Sequence, residues 1–166
     1  MGFFGNLMGG RKKAAPAEKI VYSPLNGHVI PLAEVNDPVF SEGMMEPGVG
    51  IEPEEGSLYA PVDGTVTVAF PTGHAVALKT TDGMEVLIHI GIDTVKMNGD
   101  GFQIQVSEGD QVKTGDLLVS FEVQKIKDAG YQATTMVLVS NPDEVGTMTE
   151  PASGRIQVKD RLFAFA

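Results

Sequence analysis

The chain has 166 residues, 42% of them apolar and 20% charged, which suits one domain with a real core plus a tail. It has no cysteine, which excludes disulfides, thiolate metal sites and thiol nucleophiles. The net charge is −10, and from Ile20 onward 21 acids stand against 8 bases, so the surface repels nucleic acid and suits basic protein partners as well as plain solubility. No apolar run approaches the roughly 20 residues of a membrane span. The N-terminus lacks a secretory pattern, so the cytoplasm is the expected compartment.

Residues 1–18 read as a flexible tail and 19–166 as one domain. In the tail, Phe3, Phe4, Leu7 and Met8 precede Arg11, Lys12 and Lys13, and Ala14 to Ala17 read as a linker. That order admits a short amphipathic helix making peripheral contact with an anionic membrane. Gly2, Gly5, Gly9 and Gly10 favour disorder instead. Myristoylation at Gly2 lacks its hydroxyl residue, because Asn6 stands in that place.

From Ile20 the chain reads as short strands broken by Gly, Pro, Asn and Asp, the pattern of an all-β, antiparallel β-sandwich. Short helical turns are expected within 121–130 and 142–147, and another over Pro38–Met45. A motif Pro-x-x-Gly-x-(Val/Ile) recurs at Pro24–Val29, Pro61–Val66 and Pro151–Ile156. Proline presets a corner, glycine permits positive φ, and the β-branched residue starts a strand. The segment Val106–Leu118 holds two Gly-Asp corners, Gly109-Asp110 and Gly115-Asp116, and resembles the hammerhead turn of lipoyl and biotinyl domains and their larger relatives.

The most informative stretch is Phe70–Gly91. Two apolar runs flank Asp82-Gly83, a strong hairpin signal. With that pair as a two-residue turn, Leu78 faces Leu87, Val76 faces His89 and His74 faces Gly91. Period-two alternation then puts His74 and His89 on one face as diagonal neighbours. A slip of one residue would separate them.

Two imidazoles in contact resist double protonation, so at least one is neutral at pH 7. A neutral ring nitrogen can bind metal, act as a base or attack phosphorus. A resident metal is poorly supported, since a catalytic zinc wants three protein ligands. A zinc ion shared by His74, His89 and a partner's carboxylate stays open. No Gly-x-Ser-x-Gly element supports a serine triad, and Thr72 is better placed to orient His74. Phosphoryl transfer fits best: one histidine becomes a phosphohistidine and the other donates to the phosphoryl oxygens. No Walker loop is present, so the phosphoryl group comes from another protein. His28, inside a turn repeat, reads as an ordinary surface side chain.

The motifs Ala60–Val66, Phe70–Ala75, Leu87–Val95 with Gly99–Phe102, Asn36–Met45 and Ser107–Asp110 together resemble the glucose-type IIA component of the bacterial sugar phosphotransferase system. The resemblance covers about residues 20–145. It implies a β-sandwich of the duplicated-hybrid-motif type and no bound cofactor. It further implies that the phosphocarrier HPr phosphorylates His89, and that the group passes to a cysteine on the IIB domain of a sugar permease. His74 would support transfer, Thr72 would hydrogen-bond His74, and the Gly91 backbone would orient His89. Val39, Phe40, Met45, Phe70, Leu87 and Val95 would form the docking surface, flanked by Asp37 and Asp93. Regulatory target proteins could share that surface. A carrier of lipoyl or biotinyl type, a regulatory docking module without turnover, and a zinc peptidase are the competing readings. The first needs a lysine at a hairpin tip, which Lys125 and Lys127 do not offer, and the last needs ligand spacings that His74 and His89 lack.

Overall fold

Each glycine of the Pro-x-x-Gly repeat opens a strand: Gly27 begins β2 (Gly27–Pro31), Gly64 begins β5 (Gly64–Ala69) and Gly154 begins β12 (Gly154–Ile156). The structure is a computed structural model and describes residues 18–35 and 47–166. The other strands are β1 (Lys19–Tyr22), β3 (Gly48–Pro53), β4 (Ser57–Tyr59), β6 (Ala75–Lys79), β7 (Glu85–Ile92), β8 (Phe102–Ile104), β9 (Gln111–Val112), β10 (Leu117–Phe121), β11 (Gln132–Val139) and β13 (Arg161–Phe165). Two short helices, α1 (Val123–Asp128) and α2 (Pro142–Val145), fall inside the two expected windows that are described. The third window, Pro38–Met45, lies outside the described residues, as do the calls on residues 1–17. Glu18 makes a two-pronged ion pair with Arg161, at 2.8 and 2.9 Å.

The fold is an antiparallel β-sandwich. An eight-stranded sheet runs β9-β5-β6-β7-β11-β3-β2-β12, a three-stranded sheet runs β4-β10-β8, and β13 pairs with β1. One core joins them. Val76, Leu78, Val86, Ile88 and Val137 of the large sheet pack in the same cluster as Leu58, Leu118 and Phe121 and as Val21, Phe163 and Phe165. Strand β11 lies between β7 and β3, and every residue from Ala133 to Val139 is buried. Its second face meets a smaller cluster: Met136 and Leu138 pack with Val35 and Ile92, and with half-buried Leu87. A strand covered on both faces carries an unbroken apolar run rather than an alternation.

The repeats also pair with the aspartate corners, and the pairing occurs twice. Ala60 N donates to Asp116 O and Gly115 N to Ala60 O, while Ser23 N donates to Asp160 O and Lys159 N to Ser23 O. Asp116 and Asp160 each accept from the backbone three residues earlier, at Lys113 and Gln157. Gly115 and Lys159 therefore hold equivalent places, and both have positive φ, 96° and 77°. For lysine that conformation costs about 1 kcal/mol. Lys159→Gly should raise stability by up to roughly 1 kcal/mol, read as a higher urea midpoint at unchanged slope. An unchanged or lower midpoint would mean that the Lys159 side chain, which crosses over Gly115, contributes more packing than the backbone loses.

Candidate functional site

Strands β6 and β7 form the expected hairpin, but with a different turn. Thr80 N donates to Met84 O at 2.9 Å and Gly83 N to Thr80 O at 3.0 Å, so the loop has three residues, Thr81, Asp82 and Gly83. Gly83 sits at φ 97°, the glycine that follows a type I turn in such loops. The Thr80 hydroxyl fixes this choice by donating to Asp82 and accepting from Met84 N. The register moves by one: Ala75 lies opposite His89, Val76 opposite Ile88 and Ala77 opposite Leu87. The expected pairs Val76–His89, Leu78–Leu87 and His74–Gly91 are corrected accordingly.

That slip should have parted the histidines, yet their ring centroids are 5.3 Å apart with planes at 72°. The reason is local. His74 stands one residue ahead of β6, at the end of a turn in which Gly73 N donates to Phe70 O at 2.8 Å. It is outside the alternation of the strand. Its carbonyl accepts from Ile90 N at 2.7 Å, which ties the turn to β7 beside His89. Ala75, the direct partner of His89, is small, so two rings fit where a larger side chain would intrude.

Each ring is held by its Nδ1. Thr72 Oγ1 is 2.7 Å from His74 Nδ1, and His89 Nδ1 is 2.8 Å from the Gly91 carbonyl. A carbonyl only accepts, so neutral His89 carries its proton on Nδ1 and its lone pair on Nε2. Gly91 makes this possible. It has φ 80°, and a Cβ there would lie 2.4 Å from Thr94 Cγ2 and 2.9 Å from Gln132 O. The Phe70 ring packs edge-on against His74, with centroids 5.0 Å apart.

His74 is buried and His89 half-buried. Burial, and secondly the charge of His89, hold the His74 imidazole below its ordinary value near 6.5. The neutral ring is thus favoured in the folded state, and the unfolded chain binds more protons as pH drops. The stability tied to neutral His74 is complete above about pH 6.5 and erodes below it. Between pH 7 and pH 5 the wild type should lose urea resistance faster than His74→Gln. Equal slopes for the two would contradict that origin.

The remaining predicted residues divide in two. Phe70 and Val95 are 41% and 49% exposed, Asp93 is exposed, and Leu87 shares the face of β7 that bears His89. Asp37, Val39, Phe40 and Met45 lie outside the described residues. His28 is exposed on β2, as expected. Lys125 and Lys127 lie on α1, and Lys125 pairs with Asp100 at 2.9 Å. Among the described residues no three His, Cys, Asp or Glu gather as a metal would need. The histidine pair supplies two ligands, one short of a catalytic zinc site, so a zinc ion would need a further ligand from a partner. No helix of the described residues is long and apolar enough to cross a membrane. Sequence reasoning missed Thr94, fully buried behind Gly91, and Met136, the partner of His89 on β11.

Residues 19–145 match the family described as phosphoenolpyruvate-dependent sugar phosphotransferase system, EIIA 1. The chain is 42% identical over 155 residues to the glucose-specific EIIA component of Halalkalibacterium halodurans, with 90% of each covered. It is 45% identical over 150 residues to the β-glucoside-specific EIIBCA component of Bacillus subtilis, of which it spans 25%. The glucose permease IIA from Mycoplasma capricolum superposes with a TM-score of 0.84 at 32% identity, covering 90% of this chain and 96% of that one.

Proposed function

Because the chain belongs to the EIIA 1 family of the phosphoenolpyruvate-dependent sugar phosphotransferase system, we propose that it accepts a phosphoryl group from phospho-HPr on His89 Nε2. It then passes the group to a cysteine of a IIB domain. The observation that supports this most is the histidine pair itself: two imidazoles in contact, each anchored through Nδ1.

In the first step the Nε2 lone pair of His89 forms an N–P bond as the P–N bond on the HPr histidine breaks. The proton stays on Nδ1, donated to the Gly91 carbonyl, which stabilises the imidazole as it gains positive character. With the Thr72 hydroxyl donating to Nδ1, His74 carries its proton on Nε2 and offers it to the phosphoryl oxygens. In the second step the thiolate of IIB attacks phosphorus, the N–P bond breaks, and its electron pair returns to His89 Nε2. Low His74 basicity suits this role, since a neutral donor does not trap the phosphoryl group as an ion pair.

Phe70, Leu87 and Val95, with Val39, Phe40 and Met45, provide the apolar docking patch, and Asp37 and Asp93 its acidic rim. An apolar centre with a charged rim fits fast, short-lived complexes. The same patch would take regulatory targets, because a phosphate on His89 changes its charge. We place the chain in the cytoplasm, with residues 1–18 as a tail in peripheral contact with the membrane and 19–166 as the domain. The relatives that carry EIIB and EIIC parts besides EIIA make the IIB domain the natural acceptor.

Incubation with phosphoenolpyruvate, enzyme I and HPr, followed by mass spectrometry under non-acidic conditions, tests the reading. One acid-labile phosphoryl group per chain is expected. No adduct with active enzyme I and HPr would overturn it.

A further inference from the structure

Thr94 follows β7 at the start of a 3-10 turn, Thr94–Met97, and is fully buried. Its hydroxyl donates back to the Ile90 carbonyl. Its methyl carbon is the atom nearest to where a Gly91 side chain would begin. Ile90 is thereby held from both ends, because its N–H donates to His74 O. Gly91 follows directly, inside the loop that the Thr94–Ile90 bond closes, and its carbonyl accepts from His89 Nδ1. Asp93, just ahead of Thr94, sits at φ 63°, so the chain turns sharply to bring the hydroxyl back. An αL aspartate persists only where the surroundings hold it.

We propose that Thr94 is a positioning residue for His89: its hydroxyl fixes the Gly91 carbonyl, and so keeps the Nδ1–H tautomer with the reactive lone pair on Nε2. This deepens the phosphoryl-transfer reading and rests on it. Thr94 is not itself a catalytic residue in this scheme. It acts through two backbone carbonyls, one that it bonds and one that it seats.

Thr94→Val keeps the shape and one methyl but removes the donor. Ile90 O then loses that bond, and the Gly91 peptide is free to tilt. The His89 ring should populate both neutral tautomers. Phosphoryl acceptance from phospho-HPr should slow roughly ten- to hundredfold, the scale of a small misplacement of a reacting group. Thr94→Ser keeps the hydroxyl and should restore both properties to within about twofold.

The test is nitrogen-15 NMR of the His89 ring in the full chain at neutral pH, beside single-turnover phosphorylation by phospho-HPr. The proposal expects a single Nδ1–H tautomer in the wild type and in Thr94→Ser, and a mixture in Thr94→Val. An unchanged tautomer in Thr94→Val, or a mixture in Thr94→Ser, overturns it. Should Thr94→Val fail to fold, Thr94→Ser decides alone: a lost tautomer preference there sinks the hydroxyl's role. The NMR arm needs no phosphoryl donor, so its failure is distinct from failure of the transfer reading, in which the wild type itself takes no phosphoryl group.

Discussion

His89→Ala should take up no phosphoryl group from phospho-HPr, a loss of at least about a thousandfold in rate, because it removes the nucleophile itself. Little else should change. His89 is half-buried at the outer face of β7, and the core residues of that strand, Val86, Ile88 and Ile90, point the other way. The folded baseline is therefore retained, and the melting temperature should move by only a few degrees, as for about 1 kcal/mol in a domain of this size. The measurement is the phosphoryl stoichiometry by intact mass after a complete phosphorylation reaction. Full labelling of His89→Ala would mean that the carrier is another residue, with His74 the first to be tested.

His74→Ala should separate the two half-reactions. His89 keeps its Nδ1 anchor on Gly91 without help from His74. Acceptance should continue within about tenfold, since only a neutral hydrogen bond to the incoming phosphoryl is lost. Onward transfer to a IIB cysteine should fall by roughly a hundredfold or more, because a preorganised donor is missing where charge shifts. His74→Gln should recover part of the transfer, as its amide can still donate. The check is to phosphorylate each variant, isolate it, add IIB and follow loss of the adduct. Equal acceptance and transfer defects in His74→Ala would assign His74 a general structural role. Some stability cost is expected too, because the buried ring packs against both Phe70 and His89.

Much of this site was legible in the sequence because its signals are local. The Pro-x-x-Gly repeats mark three strand starts, but each strand opens at the glycine rather than at the β-branched residue, and only Gly154 of the three has positive φ, while the windows at 121–130 and 142–147 do hold α1 and α2. Asp82-Gly83 marked a hairpin correctly but not its loop length. An Asp-Gly pair suits the centre of a two-residue turn, and it equally suits the last two places of a three-residue loop. Thr80 decided between them through a hydroxyl bond to Asp82 that no periodicity displays. The histidines met despite the changed register because His74 lies beyond the strand end, where alternation does not apply. Non-local pairing left no such trace. The placement of β11 between β7 and β3, and the approach of the Gln132 carbonyl to Gly91, depend on segments that meet only after folding.

The nitrogen that carries phosphorus on the phosphorylated chain is the most direct reading of the site. Phosphorus–nitrogen correlation NMR on uniformly nitrogen-15-labelled protein, phosphorylated through enzyme I and HPr, identifies that atom. The hydrogen bond from Nδ1 to the Gly91 carbonyl predicts phosphorus on Nε2 of His89 alone. Phosphorus on Nδ1 of His89, or on either nitrogen of His74, would contradict it.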